Sequence, residues 1–557
     1  MKRREIIKTL SAIPVAGGIM SIEPLVGSAD QKKPAANAGR LANPAPGALA
    51  LGPQIYQSIG VEPVINCRGT FTAIGGSLEL PEVRNAVDFA SQNYVVIDEL
   101  AMAVGKRLGE ITGAEWGMVS SGCAAGMKHV AVACITDGDP EKLVRVPDLT
   151  GFTKTEVIAP RYSRNQYDHA IRNAGVKLIT VDTIDELKKA ISSRTAMIYL
   201  FSAPQEYDKG PMSIDNVAAV AKESNIPILV DAAAEVLTIP NIHLNRGATI
   251  VAYSGGKAIR GPQCAGLLLG KKDLLFSAWQ ASSPHHGPGR DNKVGKEEHI
   301  GMLAAIETWV KRNHAEEEKT WISWLEYISR KVTTINGVTT KITEPQGVDN
   351  RSARLSINWN PEAFNLTGEE AVDDLTNNKP RISINGRTNP REGVASLSIS
   401  AHMMQPGDEK IVADRIYNLL AQKREKKTVV VEAPAANITG HWDVSVEFYS
   451  GKGEHKLFLA EQDGNDLKGT HKSTFSMLDL SGRIEGRKVR LQSFYRENAE
   501  SIPYTFDGTL EGDSFAGVLY LGEYRSANFV AKKSEFRQRQ GNSISVPGYG
   551  AKKANSW

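Results

Sequence analysis

Cysteine and unbalanced charge are both scarce in this chain, and each scarcity removes a class of explanation. Among 557 residues there are four cysteines, Cys67, Cys123, Cys134 and Cys264, with no Cys-x-x-Cys pair. No histidine cluster completes a zinc set, so neither a disulfide framework nor a structural metal is expected. A net charge of +3 creates no broad basic field, which argues against nucleic acid as a partner. Long apolar runs are missing too. The one moderately apolar stretch, reaching to about Val26, is broken by Lys8, Pro14, Gly17 and Gly18, which is too short and interrupted for a stable membrane span.

What is present fits a multidomain globular protein. Hydrophobic residues make up 41% and charged residues 23% of the chain, and the length suggests two to four units rather than one core. The start, Met1-Lys2-Arg3-Arg4, followed by the broken apolar stretch and a small-residue site near Gly27-Ser28-Ala29, looks like a twin-arginine export signal over residues 1–29. The expected location is therefore periplasmic or exported, and cytoplasmic if the signal is not used. Residues 30–53, rich in Ala, Pro and Gly, read as a flexible tether.

The most informative residue is Lys257, in Tyr253-Ser254-Gly255-Gly256-Lys257, with Asp231 lying 26 positions earlier at the end of Ile228-Leu229-Val230-Asp231. Both follow strand-like runs, and two parallel strands would carry amine and carboxylate to one sheet edge, where open α/β folds place their crevices. A lysine that forms a Schiff base and an aspartate that keeps a pyridine nitrogen protonated are the pair needed by pyridoxal 5'-phosphate. A third element supports this reading. Val119-Ser120-Ser121-Gly122-Cys123-Ala124-Ala125-Gly126 ends an apolar run and opens a small-residue helix, whose free N–H groups and dipole suit a phosphate. Cys123 inside this cup is either a reactive thiol or a small buried residue chosen for fit.

From Thr155 the chain alternates strand-like runs with helical patterns: residues 156–159, 178–181, 197–201, 228–230, 250–253 and 265–269. That rhythm predicts a mainly parallel sheet between helices. A helix start is expected at Ser213 and a helix stop at Asn173-Ala174-Gly175. A long helix is expected from Glu297 to about His314 with Ile300, Leu303, Ile306 and Val310 on one face. The catalytic domain is expected over residues 54–424, with a large part to about 310, then a smaller lobe holding a strand at 396–400 and a last helix at 407–420. After a charged, Pro-Ala boundary at 425–437, the pattern changes to period two. Trp442, Val444, Val446 and Phe448 alternate with polar residues, and repeated Gly-containing turns predict a compact antiparallel sandwich or barrel of seven or eight strands over 438–535, its interior filled by its own side chains. Residues 536–557 read as a disordered tail.

Three segments carry a family resemblance. Ser254 to Gln263, with Gly261-Pro262-Gln263 after the lysine, Gly289 to Glu298, and Ile65-Asn66-Cys67-Arg68-Gly69-Thr70 resemble fold-type I pyridoxal-phosphate enzymes of the branch holding bacterial selenocysteine synthase and D-glucosaminate-6-phosphate ammonia-lyase. The resemblance covers residues 56 to about 422. It implies an α/β aminotransferase-like fold with a mainly parallel seven-stranded sheet and a smaller α+β lobe. Carried over, it implies that Lys257 holds the cofactor and moves protons, that Asp231 pairs with the pyridinium, and that Ser121, Gly122, Cys123 and Ser254 cradle the phosphate. Tyr167 or His169 would cover the ring, and Ser202 or Gln205 would approach its phenolic oxygen. Arg68, Arg260 and Arg290 would bind substrate anions, and Lys293 and Lys296 would face a neighbouring subunit, making a homodimer or higher homo-oligomer. The ammonia-lyase side fits better, because the helical amino-terminal region expected for gripping tRNA is missing. The expected activity is α,β-elimination from an amino acid or amino-sugar acid. The rival readings are an aminotransferase or seryl-type β-replacement transferase on the same scaffold, and an exported glycan- or envelope-binding protein with an inactive cofactor fold.

Overall fold

The computed structural model describes residues 49–425, 431–497 and 500–534. The export-like segment 1–29, residues 30–48 of the expected tether and the expected tail from 536 lie outside the described residues. Residues 49–62 belong to a unit of their own containing one short 3-10 turn, Gln57–Ile59. From Pro63 onward the chain is a second unit.

The centre of that second unit is a seven-stranded sheet of β1 (Trp116–Ser120), β2 (Glu156–Pro160), β3 (Lys177–Val181), β4 (Thr195–Phe201), β5 (Ile228–Asp231), β6 (Ile250–Ser254) and β7 (Gly266–Gly270). Their order is β1-β7-β6-β5-β4-β2-β3. Strand β7 runs antiparallel to both its neighbours, and β6, β5, β4, β2 and β3 are parallel. Every run read as a strand from Glu156 onward is one, shifted by two residues at most at either end.

Residues of these strands are apolar at nearly every position because both faces are covered. Ile198, Leu200, Val230, Val251 and Leu267 join one buried cluster, and Met197, Tyr199, Leu229, Ala252 and Leu268 join another. Alternation along each strand sorts them between the two faces. The second face is closed by α1 (Gly122–Thr136), which is buried on almost every side. Its small residues allow that fit: a Cβ on Gly126 would stand 2.9 Å from Leu268 Cδ2.

The helix expected from Glu297 to about His314 is two helices, α2 (Lys296–Trp309) and α3 (His314–Val332). Asn313 caps α3 by accepting from the Glu316 N–H, which supplies a new start where a continuous helix was expected. The buried face also differs. Gly301, Met302, Ala305, Ile306 and Trp309 are buried, and Val310 is 48% exposed. A close approach fixes this rotation, since a Cβ on Gly301 would lie 2.7 Å from Pro262 and 2.8 Å from Val87.

The smaller lobe folds around an antiparallel sheet of β8 (Thr339–Thr343), β9 (Arg354–Trp359), β10 (Asn385–Asn389) and β11 (Val394–Ser400), in the order β10-β11-β9-β8, backed by α3 and the short helix Gly368–Asn377, with α4 (Asp408–Ala421) packed on α3. It is tied to the amino-terminal side by Ile65–Asn66, which pairs in parallel with Ile382–Ser383.

The last part is a closed eight-stranded antiparallel barrel: β12 (Gly440–Phe448), β13 (Gly451–Asp463), β14 (Asp466–Lys472), β15 (Met477–Glu485), β16 (Lys488–Glu497), β17 (Glu500–Glu511), β18 (Ser514–Tyr520) and β19 (Ser526–Lys533). Three of its turns place Gly464, Gly486 and Gly512 at φ of 55°, 54° and 59°, the left-handed region where glycine carries no Cβ penalty. These tight turns share one end. From that end into the middle of the barrel, Trp442, Phe515, Phe529 and Phe506 pack edge to face. Residues ahead of the first strand also belong to the barrel, because Asn465 Nδ2 donates to Glu432 O and Ala435 N to Gly486 O.

Candidate active site

Strands β1, β4, β5 and β6 end on one edge of the sheet. Ser120 and Ser254 both stand opposite Gly266, and Phe201 stands beside Asp231. Asp231 follows Leu229 by two and therefore faces α1, whose first turn contains Cys123. The cup from Ser121 to Cys123, the carboxylate and the lysine segment thus meet at the sheet edge.

Asp231 is 1% exposed, and its visible partners are neutral donors. Ala233 N donates to Oδ1 at 3.1 Å, Cys123 Sγ to Oδ1 at 3.6 Å, and Tyr199 Oη to Oδ2 at 3.1 Å. Burial raises both the Cys123 thiol and the Tyr199 phenol well above their usual range, with the Asp231 charge adding to each shift. Both groups stay protonated and donate. Burial also raises the Asp231 carboxyl, against the lowering by the Ala233 N–H, the Lys257 charge and the two side-chain donors. A fully buried carboxylate held by neutral groups is costly without a cation, and a protonated pyridine nitrogen supplies one.

The cup fits an anion as well. Gly122 opens α1 at φ 79°, Ser121 precedes the helix without capping it through its side chain, and the first-turn N–H groups have no intrahelical partner. Gly266 presses against this turn so closely that a Cβ there would sit 2.4 Å from Gly122 C and 2.7 Å from Cys123 N. Cys123 is buried, as are Cys67 and Cys134, and Cys264 is exposed; all four are free thiols.

The other expected site residues are divided. Ser202 is buried, but its hydroxyl donates to the Asp231 carbonyl at 2.9 Å, bracing the aspartate's backbone. Gln205 is exposed at the start of a short helix, Gln205–Asp208. Tyr167 is 50% exposed. His169 turns to the barrel, with Nε2 2.7 Å from Glu500 Oε1, and the structure does not bring it to Asp231. Arg68 stacks over the Phe71 ring at 4.7 Å, and Arg260, whose Nε donates to Leu78 O at 2.9 Å, lies near enough to His402 for its charge to be felt there. A Cβ on Gly69, next to Arg68, would be 2.9 Å from His402 Cε1, and the charges of Arg354 and Arg260 add to burial in lowering the His402 pKa to about 4. The Arg68 Nε is buried without a hydrogen-bond partner, so it retains donor capacity for an anion. Arg290 is exposed and donates to the buried Ser283 Oγ at 3.3 Å, on a segment that Lys128 of α1 holds through Pro288 O and Asp291. Lys293 is exposed, and Lys296 pairs with its neighbour Glu297.

Several neighbours escaped the sequence reading. Tyr199 sits in the middle of an apolar strand and reads as core, and Asn165, which donates to Tyr199 Oη at 3.2 Å, reads as a loop residue. Asp349 is raised mainly by burial and lowered by the Lys257 charge. It approaches from the smaller lobe, a contact that strand periodicity does not reveal.

Residues 165–293 match the aminotransferase class-V family. The chain is 31% identical over 334 residues to D-glucosaminate-6-phosphate ammonia lyase of Salmonella typhimurium (strain 14028s / SGSC 2262), covering 58% of this chain and 87% of that protein. It is 24% identical to 5'-C-glycyluridine monooxygenase-decarboxylase of a Streptomyces species, over 66% of this chain and 92% of that one. Among solved structures, that of a D-glucosaminate-6-phosphate ammonia-lyase superposes with a TM-score of 0.59 at 27% identity, covering 66% of this chain and 99% of the other. The chain belongs to the fold-type I, aminotransferase-like family of pyridoxal-phosphate enzymes, near the D-glucosaminate-6-phosphate ammonia-lyases and the bacterial selenium transferases. It is an enzyme of that family, and pyridoxal 5'-phosphate is the family's cofactor.

Proposed function

We propose that this enzyme is a lyase that eliminates across Cα and Cβ of an amino acid or amino-sugar acid and releases ammonia. The observation that carries this reading is the meeting of Asp231, Lys257 and the Gly122 cup at one sheet edge, in a chain that spans 87% of an ammonia lyase. Ser121, Gly122, Cys123 and Ser254 would hold the phosphate of pyridoxal phosphate, Asp231 its ring nitrogen and Lys257 its carbonyl carbon. When bound, the cofactor supplies an electron sink for a carbanion at Cα.

The chain's own residues do the rest. Lys257 would take the proton from Cα and return it to the departing hydroxyl at Cβ, which leaves as water; the resulting enamine tautomerises to an imine, and hydrolysis of that imine breaks the C–N bond to give keto acid and ammonia. Arg68 and Arg260 orient the substrate anion, with the free Nε of Arg68 as one donor. Tyr199 and Cys123 hold the Asp231 carboxylate in one orientation so that its charge lies at the ring nitrogen. A homodimer or higher homo-oligomer and export by the twin-arginine route complete the proposal; the first is supported by the Gly289 to Glu298 segment and the second by Arg3-Arg4.

The test is a panel of D- and L-amino acids and aminated sugar acids, assayed for ammonia and keto acid without an added amino acceptor. Release of both in equal amounts, abolished by Lys257→Ala, is the expected result. Strict dependence on a keto-acid acceptor would replace elimination with transamination.

A further inference from the structure

The barrel has two unlike ends. The end with the tight glycine turns is plugged by Trp442, Phe506, Phe515 and Phe529. At the other end β12 runs into Tyr449 and β18 into the 3-10 turn Gly522–Tyr524, and the rim forms a half-open pocket of about 260 Å³ bordered by Phe448, Tyr449, Ile502, Leu521 and Tyr524. A barrel that needed only its own core would continue apolar to this end. Instead, inward positions of neighbouring strands carry a polar layer beneath the cavity. His455 Nδ1 lies 3.0 Å from His471 Nε2, and His471 Nδ1 lies 2.7 Å from Ser493 Oγ. Tyr504 meets both imidazoles edge-on.

His455 lines the cavity and is 3% exposed. With Nδ1 engaged by His471, its Nε2 is the nitrogen left for a further partner, and that of His471 is already used. Burying two imidazoles costs stability unless their hydrogen bonds are met; those of His471 and of His455 Nδ1 are met within the layer, which leaves His455 Nε2 as the group directed to a further partner. An apolar cup with one or two convergent polar groups is the usual form of a small-molecule site. A second, larger cleft shares Phe448, His455 and Thr474 with the cup, and it is bordered by four lysines, Lys452, Lys456, Lys472 and Lys532, against two acids, Asp443 and Glu454. The surplus charge bordering this larger cleft is positive, although Lys456 is paired with Asp443.

We propose that the open end of the barrel binds a small aromatic carboxylate, its ring seated among Phe448, Ile502, Leu521 and Tyr524 and its carboxylate taken by His455 where the lysine-bordered cleft begins. The size suits one fused ring system. Neutral imidazole donates to the carboxylate, and the lysines add long-range attraction.

The test uses the full-length chain with bound cofactor. Anilinonaphthalene sulfonate is titrated as a fluorescent probe and displaced with 2-naphthoate or with the uncharged 2-naphthalenemethanol. The proposal expects saturable binding at one site per chain and displacement by the carboxylate at least about tenfold better than by the alcohol, as a lost charge-assisted hydrogen bond requires. His455→Leu should weaken probe binding by at least about tenfold. Tyr524→Ala, at an exposed rim position that leaves the core packing unaltered, should weaken it several-fold, so the proposal does not depend on one buried variant folding. Absence of saturable binding, indifference to Tyr524→Ala, or equal displacement by alcohol and carboxylate would each overturn it.

Discussion

Arg172 Nη2 donates to Glu500 Oε1 at 2.5 Å, joining the large domain to the barrel across 328 positions of sequence. Arg172 Nε also donates to the buried Asp168, which Arg164 holds from its other oxygen. The clasp therefore fixes the segment running from Asn165, the partner of Tyr199, to His169. Weakening it should disturb the cofactor site indirectly. Glu500→Gln is expected to lower kcat/KM a few-fold while cofactor content stays constant. Both side chains are about a third exposed, so screening should keep the coupling in an Arg172→Met and Glu500→Gln double-mutant cycle near about 1 kcal/mol. A cycle with no coupling, read from unfolding midpoints, would show that the domains are not joined here.

Asp231 gives a prediction in which stability and function move oppositely. Burial raises its carboxyl pKa in the folded protein, above about 3.9 in the unfolded chain. A raised folded value means that the native state holds the proton more tightly, so the contribution is full below the unfolded pKa and is lost as pH rises through the folded one. At neutral pH the apoprotein carries that cost. Asp231→Asn should therefore raise the melting temperature of the cofactor-free protein, yet lower both cofactor affinity and turnover, turnover by roughly a hundredfold or more. Calorimetry of both proteins with and without cofactor checks it; an apoprotein destabilised by the change would contradict the argument.

Gly266→Ala tests the cup without touching a cofactor-binding side chain. The new methyl would push on Gly122 and Cys123 from the neighbouring strand, and overpacking of this kind costs about 1–3 kcal/mol. Cofactor retention during dialysis should fall along with the melting temperature. Retention equal to that of the wild type would mean that the first turn of α1 does not carry the phosphate.

Acid should loosen the fold well before its carboxylates are protonated. Burial lowers His129 to about 3, with the Lys128 charge adding to the shift, and lowers His471 to about 3. Unfolded histidine titrates near about 6.5, so between these values the unfolded chain binds more protons. Stability is full above the unfolded value and declines as pH falls toward the folded ones. His129→Leu should flatten the fall in melting temperature between pH 7 and 4, and an unchanged slope would remove His129 as a source of it.

The strands from Glu156 to Gly270 were legible because burial on both faces makes them continuous apolar runs between turn residues. The barrel was legible through its period of two. Lys257 and Asp231 stood out because Asp231 closes one such run and Lys257 follows another across a Gly-Gly turn, positions that reach a sheet edge. Tyr199 gave no such signal, since a phenol within a buried strand resembles core until its hydroxyl partner is seen. His169 was read from the family resemblance, and its actual partner, Glu500, lies more than three hundred residues away. The break between α2 and α3 was written as Asn313 three residues before Glu316, a capping pattern that the apolar spacing concealed.

Closure of the carboxy-terminal barrel has a colloidal consequence. In a ladder where β12 pairs with β19, the sheet has no terminal strand to recruit another chain along its whole length, and edge-to-edge polymerisation loses its main template. An appendage of this kind can be carried at high concentration beside a second folded body without seeding aggregates.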